Sequence, residues 1–174
     1  MPRRHRLAIV CSHPIQYLAP WFVQLSREPS LDVTVLYGSR QGQTVASQDR
    51  DFARELLWDV DLLSGYRSVE LRSHSPRPGL DRFWGVLSLD LARHLHRDDF
   101  DAVMILGWNY ALYPVALATA KLANLPVILR GDSVRYRDAD VAERRLDRVS
   151  RLRLSAKQRL LKTYVGSCAA TLAV

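Results

Sequence analysis

The chain has 174 residues, of which 48% are hydrophobic, and its 25 Lys and Arg residues outnumber 18 Asp and Glu residues, giving a formal charge of +7. This length is typical of one domain of about 100–200 residues, and the hydrophobic content excludes wholesale disorder. The apolar runs are far shorter than the ~18 residues of a membrane span, and the one after the basic N-terminus is too short for a signal peptide, so the sequence predicts a cytoplasmic protein.

Short apolar runs alternate with stretches of helical periodicity along the chain. The runs have the length and β-branched content of buried parallel strands. They are Leu7–Cys11, Asp32–Tyr37, Ala102–Leu106, Val127–Leu129 and Thr171–Val174. Helical stripes include Leu18/Phe22/Leu25, Leu87/Leu91/Leu95 and Leu112/Val115/Ala116/Ala120. This alternation predicts a single Rossmann-like α/β domain over residues 1–174, with a doubly wound, mainly parallel sheet and helices on both faces.

Proline and capping residues predict where two of these helices begin. Pro20 is compatible only with the first turn of a helix, so the first helix should begin near Ala19 and leave Ser12–Leu18 as a loop. Asn109 is a favourable N-cap for the helix that runs to about Ala123.

The remaining segments predict loops and one short strand. Gly38–Arg50 and Ser73–Gly79 are rich in turn-forming and polar residues and should be loops. Trp58–Leu63 alternates in polarity, which is compatible with a short strand, and Ser64-Gly65 would form the following turn.

The residues that follow the strands are candidates for a binding or catalytic site, because ligands of doubly wound sheets bind at the carboxyl ends of strands. His13 follows the first strand, and its near-neutral pKa suits a general base; Asp132, after a later strand, is the natural carboxylate to orient it. The alternative is that His13 only bonds the loop backbone. Trp108 suits either stacking on a sugar face or packing in the core. The candidate substrate-binding residues are Gln16, Tyr17, Trp108, Asn109 and Arg130.

Missing motifs exclude several classes of protein. No GxGxxG follows the first strand, and neither GxxxxGK[ST] nor GxSxG occurs, which argues against dinucleotide-binding, P-loop and α/β-hydrolase proteins. The two cysteines, Cys11 and Cys168, form no CxxC, and no HExxH is present. We therefore expect no metal site and no cofactor held by this chain.

One stretch of the chain is strongly basic. Arg148 to Lys162 holds six basic residues and no acidic one, and Asp140 with Glu143 has the spacing of a capping box that opens a helix. This pattern predicts either an anion- or membrane-facing surface or simply a solvated helix face, with interspersed leucines such as Leu160 packed on the sheet. The residues proposed for the surface are Arg148, Arg151, Lys157, Arg159 and Lys162. No aromatic residue is interleaved with them, so nucleic acid is not an expected partner.

Several of these motifs resemble a group of family-4-type glycosyltransferases. The first is His13-Pro14-Ile15-Gln16-Tyr17 with Pro20 and Phe22 beyond it. The second is Trp58-Asp59 with Leu62-Leu63-Ser64-Gly65-Tyr66. Gly107-Trp108 and Arg130-Gly131-Asp132-Ser133 fall where the group has its later, weaker strand-end motifs. The resemblance extends from Leu7 to Val174, and in place of the His-Asp of many relatives the chain has Gly131-Asp132.

This resemblance implies a GT-B architecture, in which two Rossmann-like domains face each other across a cleft. The chain would be the N-terminal, acceptor-side domain of an enzyme that transfers a sugar from a nucleotide-sugar donor to a hydroxyl of a sugar or lipid-linked acceptor. An acceptor hydroxyl would lie near His13 and Asp132. The C-terminal donor domain is expected in the same gene or in a separate chain, and the chain alone is expected to be inactive because nothing would stabilise the leaving diphosphate. Relatives that act on membrane-proximal acceptors suggest a peripheral location at the inner membrane face.

A second hypothesis assigns the chain no catalytic role. It would be a stand-alone Rossmann-like binding module that docks on a membrane or a protein partner through its basic helix. Salt-sensitive binding to anionic vesicles distinguishes this module from an acceptor domain that does not bind membranes.

Overall fold

The apolar runs of the sequence form a parallel sheet in the computed structural model, which describes residues 3–40, 47–48, 55–56, 62–131, 159–160 and 162–173. The strands are β1 (His5–Cys11), β2 (Leu31–Tyr37), β3 (Ser47–Gln48), β4 (Glu55–Leu56), β5 (Arg67–Glu70), β6 (Ala102–Leu106), β7 (Val127–Gly131) and β8 (Ala170–Ala173). Six of them form an all-parallel sheet in the order β5-β2-β1-β6-β7-β8. The two-residue strands β3 and β4 pair antiparallel to each other.

Helices cover both faces of this sheet. The helices are α1 (Ala19–Ser26), α2 (Asp90–Arg97) and α3 (Leu112–Leu122), with a 3-10 turn at Phe83–Gly85. Residues 159–160 and 162–166 are also helical. Alternate β1 side chains enter different cores, because successive residues of a strand point to opposite faces. Ile9 packs with Phe22 of α1, whereas Val10 packs with Leu91 of α2 and Leu112 of α3.

The strand order is that of a Rossmann-like domain, in which the chain starts in the middle of the sheet, builds outward to one edge and then returns to build the other. The return places β6 beside β1. The direction of winding therefore reverses between β1 and β6, and the crevice at their carboxyl ends is the switch point where ligands of such folds bind. The predicted fold class, a single α/β domain of this type, is confirmed.

Most predicted boundaries agree with the structure to within two residues. The run Ala102–Leu106 matches β6, and Pro20 lies in the first turn of α1, which begins at Ala19. β5 was not predicted, because Arg67–Glu70 is short, lies at the sheet edge and buries no residue fully, so it lacks the apolar run of a central strand.

The prediction that Asn109 caps the third helix is wrong. The helix begins at Leu112 after Ala111, and no side chain caps it. Tertiary contacts replace the cap: the Ala111 N–H donates to the Phe83 carbonyl at 2.8 Å and the Leu112 N–H donates to the Val86 carbonyl at 3.0 Å. These bonds satisfy N–H groups that a helix leaves without intrahelical partners.

One predicted loop is confirmed, whereas one predicted loop and one predicted strand need correction. Ser73–Gly79 is a loop, as predicted. The predicted loop Gly38–Arg50 contains β3, and the predicted strand Trp58–Leu63 ends in a turn, because Leu62 and Leu63 form the turn that leads to β5. Trp58 to Asp61 and the capping-box pair near residue 140 lie outside the described residues. Within the described part of the chain, no helix has the length and apolar character needed to cross a membrane.

Candidate functional site

A buried tyrosine connects the carboxyl ends of the two strands at the switch point. The Ser12 N–H, directly after β1, donates to the Tyr113 hydroxyl oxygen at 3.2 Å. The Tyr113 ring lies against Gly107, directly after β6, where an added Cβ would be 3.5 Å from the ring. Burial raises the pKa of Tyr113, so its hydroxyl stays neutral. In dinucleotide-binding domains the first strand–helix turn offers its amides to a pyrophosphate, whereas here the Ser12 amide is already bonded.

His13 follows Ser12 and is only partly exposed. Its Nδ1 lies 2.9 Å from the Ser12 Oγ, and its backbone carbonyl accepts a hydrogen bond from the Cys11 thiol at 3.1 Å. Burial lowers the pKa of His13 below its ordinary value, because desolvation disfavours the charged imidazolium. The ring is therefore neutral at pH 7. When Nδ1 carries the proton and donates it to Ser12, Nε2 holds a lone pair that can accept a proton.

The turn after β6 depends on a glycine. Gly107 has a φ of +117°, a conformation that residues with a Cβ rarely adopt. Its carbonyl accepts a hydrogen bond from the Tyr164 hydroxyl at 3.2 Å, which ties this turn to the helical segment before β8. The half-buried Trp108 ring lies beside β7, within 3.4 Å of where a Cβ on Gly131 would be. Trp108 thus lies against the end of β7 and keeps part of its surface accessible.

The other candidate binding residues are distributed around the same edge. The Arg130 guanidinium, on β7, lies 4.7 Å from the centre of the Trp21 ring on α1, a cation–π distance. Gln16, Tyr17 and Asn109 are exposed, Tyr17 with 65% of its surface accessible. The structure therefore brings Arg130 against α1 and leaves the other three side chains toward solvent.

Predictions from the sequence concern seven residues between positions 132 and 162. Asp132, Arg148, Arg151 and Lys157 lie outside the described residues, so the predicted His13–Asp132 pair stays a prediction. Arg159 and Lys162 are exposed, as a solvated or anion-facing surface requires. The expectation that Leu160 packs on the sheet is wrong, because 72% of its surface is exposed.

The two stronger sequence motifs meet on the α1 face of the sheet. The ring centres of Phe22, from the first motif, and Tyr66, from the second, are 5.4 Å apart in an edge-to-face arrangement. The Tyr66 hydroxyl bonds the Tyr37 hydroxyl at 2.8 Å and donates to the Leu62 carbonyl. Gly65 precedes it with a φ of +83°. This contact gives Phe22 and Tyr66 a structural role in joining α1 to the turn before β5.

A pocket of about 340 Å³ opens at the carboxyl ends of β2 and β5. Residues lining it include Gly38, Glu70, Arg72, Ser73, Gly85 and Asp90. Gly38 connects this pocket to the switch point, because an added Cβ there would lie 3.4 Å from the Ser12 carbonyl oxygen. The same Cβ would come within 2.5 Å of a Val86 methyl group, so only glycine fits without rearrangement.

No functional role was predicted from the sequence for Ser12, Tyr113 or Arg72. Tyr113 had a recognisable signal, since a buried tyrosine hydroxyl in an otherwise apolar helix stripe needs a polar partner. Ser12 and Arg72 had none, because the contact between Ser12 and Tyr113 spans 101 positions and the pocket is assembled by the sheet.

Among the described residues, no group of three or more His, Cys, Asp or Glu side chains is placed to hold a metal ion. Comparisons of the sequence with protein-family models and curated proteins, and of the fold with solved structures, found no match.

Proposed function

We propose that this chain is the acceptor-binding, N-terminal half of a GT-B glycosyltransferase, which transfers a sugar from a nucleotide-sugar donor to an acceptor hydroxyl. The sequence resemblance suggests this family, and the Rossmann-like strand order is compatible with it. The observation that carries the proposal is the position of His13, whose ring lies at the carboxyl end of β1 beside the switch point, 2.9 Å from the Ser12 Oγ; burial lowers its pKa, which favours the neutral imidazole.

In this proposal His13 acts as the general base. An acceptor hydroxyl gives its proton to His13 Nε2 while its oxygen forms a bond to the anomeric carbon of the donor sugar. The bond from that carbon to the diphosphate breaks, and the nucleotide diphosphate leaves with the electron pair. Ser12 holds the Nδ1 side of the ring at 2.9 Å and so fixes its orientation. Because Ser12 occupies Nδ1 and the acceptor hydroxyl uses Nε2, this step gives Ser12 the orienting role that was predicted from the sequence for Asp132.

The first strand–helix turn favours an acceptor role over a nucleotide-binding role. The Ser12 amide is bonded to Tyr113, and Pro20 in the first turn of α1 has no N–H to offer a phosphate. The Leu18 and Ala19 amides both donate to the Ile15 carbonyl. Few amides therefore remain at this helix N-terminus to bind a diphosphate, which agrees with a donor site on another domain.

The test compares two histidine variants in the enzyme completed by its donor domain, with turnover measured at saturating acceptor across a panel of nucleotide sugars. We expect His13→Ala to reduce kcat about 10²–10⁴-fold, the usual contribution of a general base. His96→Ala, which changes an exposed histidine on α2, is the matched control and should leave kcat unchanged. An unchanged kcat for His13→Ala removes His13 as the base.

A binding measurement on the chain alone tests the acceptor assignment separately. We expect NAD to bind no tighter than millimolar, because the phosphate-facing amides are occupied. Micromolar binding of NAD to the chain would contradict the proposal and indicate a dinucleotide site.

One observation favours the alternative of a non-catalytic docking module. Leu160 is 72% exposed and lies between the exposed cations Arg159 and Lys162, a combination that suits an anionic membrane surface. Co-sedimentation with phosphatidylserine vesicles tests it. Binding should weaken as the salt concentration rises, and it should weaken in the double variant Arg159→Gln/Lys162→Gln. The control variant Arg27→Gln/Lys121→Gln removes one exposed charge directly after α1 and one in the last turn of α3, and it should bind as the unmodified chain does. Absent or salt-insensitive binding excludes this role.

A further inference from the structure

We infer that the pocket between β2 and β5 binds a single sugar ring that carries one anionic group, a carboxylate or a phosphate, and that Arg72 holds this group. The volume of about 340 Å³ lies at the small end of the ~300–1,000 Å³ typical of ligand sites. A ligand of about one ring is therefore the appropriate size. Naming this ligand the acceptor rests on the proposed function, whereas the binding itself does not.

Charge pairing around the pocket identifies the anionic group. Glu70 is paired with Arg40 at 2.9 Å, and Asp90 is paired with Arg93 at 3.1 Å. Each pocket carboxylate thus has a basic partner of its own. Arg72 also lines the pocket, and within the described part of the chain its guanidinium has no acidic partner. A ligand anion would complete this arrangement, and a guanidinium binds carboxylate or phosphate oxygens in a two-bond geometry.

The other polar groups of the pocket suit the hydroxyls of a sugar. The carboxylates Glu70 and Asp90 accept hydrogen bonds from hydroxyls. Ser73 Oγ accepts a bond from the Ser75 N–H at 3.3 Å, which leaves its own proton for a ligand oxygen. Gly38 and Gly85 contribute only backbone to the pocket, because their Cβ positions are already filled by Val86 and by the Gly79 carbonyl.

The Arg72 segment is held in place before a ligand arrives. The Ser88 hydroxyl donates to the Arg72 carbonyl at 2.7 Å, and the His74 N–H donates to the Leu87 carbonyl at 2.8 Å. The Leu71 N–H donates to the Tyr37 carbonyl at 2.8 Å, which continues the β2–β5 pairing. Because these bonds fix the backbone on both sides of Arg72, little ordering of the backbone is needed on binding.

Titration of the chain with four probes tests the inference, with amide chemical shifts as the readout. The probes are glucuronate, glucose 6-phosphate, glucose and inorganic phosphate. We expect at least one of the two anionic sugars to bind and to shift the Gly38 and Gly85 amides but not that of Gly166, which is outside the pocket. Glucose and inorganic phosphate should each bind at least about tenfold more weakly. The stronger of the two anionic sugars distinguishes a carboxylate-bearing from a phosphate-bearing ligand.

Charge variants in the same loop provide the control. Arg72→Gln should weaken binding of the anionic sugar about tenfold or more, the usual loss on removing a charged hydrogen-bond partner. Arg77→Gln removes an equal charge from the same loop outside the pocket and should leave the affinity unchanged. No binding by either anionic sugar, equal binding of glucose, equal binding of inorganic phosphate, or an unchanged affinity in Arg72→Gln would each overturn the inference. Binding without sugar transfer in the completed enzyme would retain the pocket and reject only its role as the acceptor site.

Discussion

Replacing Tyr113 with phenylalanine tests whether this residue holds the switch point together. The substitution deletes the hydroxyl that accepts the Ser12 N–H at 3.2 Å and keeps the aromatic ring in the core. Ser12 is only 2% exposed, so water cannot replace the lost acceptor. A buried N–H without a partner costs about 1–3 kcal/mol, and we expect Tyr113→Phe to lower the free energy of unfolding by that amount.

Tyr110→Phe is the matched control, because its ring lies in the same core and its hydroxyl donates to the Leu80 carbonyl at 2.9 Å. Its loss leaves an acceptor without one of its bonds, which costs only about 0.5–1.5 kcal/mol. Urea unfolding measures both values. For a domain of this size each kcal/mol corresponds to a melting-temperature change of about 2–4 °C. Equal losses in the two variants, or a smaller loss in Tyr113→Phe, would refute the argument that the Ser12 amide depends on Tyr113.

Three further substitutions test Gly85, Gly107 and His13, which lie near the carboxyl ends of the strands. Gly85→Ala should lower the free energy of unfolding by about 1–3 kcal/mol, because the added Cβ would meet the Gly79 carbonyl oxygen. Gly166 is helical and has no atom near its Cβ position, so the control Gly166→Ala should leave the stability unchanged or raise it. Urea unfolding measures both variants. Gly107→Ala should cost about 1–3 kcal/mol in the same assay, since its φ is +117°. Burial lowers the pKa of His13 in the folded state, so the protein should lose stability as the pH falls below the ordinary pKa of histidine. The free energy of unfolding, measured between about pH 7 and pH 5, should therefore depend less on pH in His13→Asn than in the unmodified chain.

The fold was predictable because buried parallel strands have uninterrupted runs of apolar residues, which can be recognised in the sequence. β1 and β6 lie in the centre of the sheet and were found from such runs. The edge strand β5 has exposed ends and no such run, so its pairing with β2 comes from tertiary structure and not from local composition. The prediction that Asn109 caps α3 is wrong for a related reason. The amides at the start of α3 donate to carbonyls of the segment 83–86, a contact that the local sequence does not indicate.

The candidate site was predictable only at the level of strand ends. The topology places the residues after β1 and β6 at one crevice, which is why His13 and Trp108 could be nominated. Which side chains meet there depends on long-range packing. The partner of Ser12 lies in α3, and the aromatic ring beneath Arg130 comes from α1. A tyrosine in an apolar helix stripe indicates that a polar partner is needed, but nothing within either segment identifies that partner.

The geometry on the two sides of Ser12 suggests from which direction a ligand reaches His13. On the β6 side, Tyr113 is bonded to the Ser12 amide. On the β2 side, Gly38 lies next to the Ser12 carbonyl and also lines the pocket that contains Arg72. A ligand held by Arg72 would therefore approach His13 past Gly38. If this direction is correct, Arg72→Gln in the completed enzyme should raise KM for the acceptor about tenfold with little change in kcat, while Trp108→Ala should change KM less. The reverse ranking would place the acceptor on the β6 side and leave the β2–β5 pocket to another ligand.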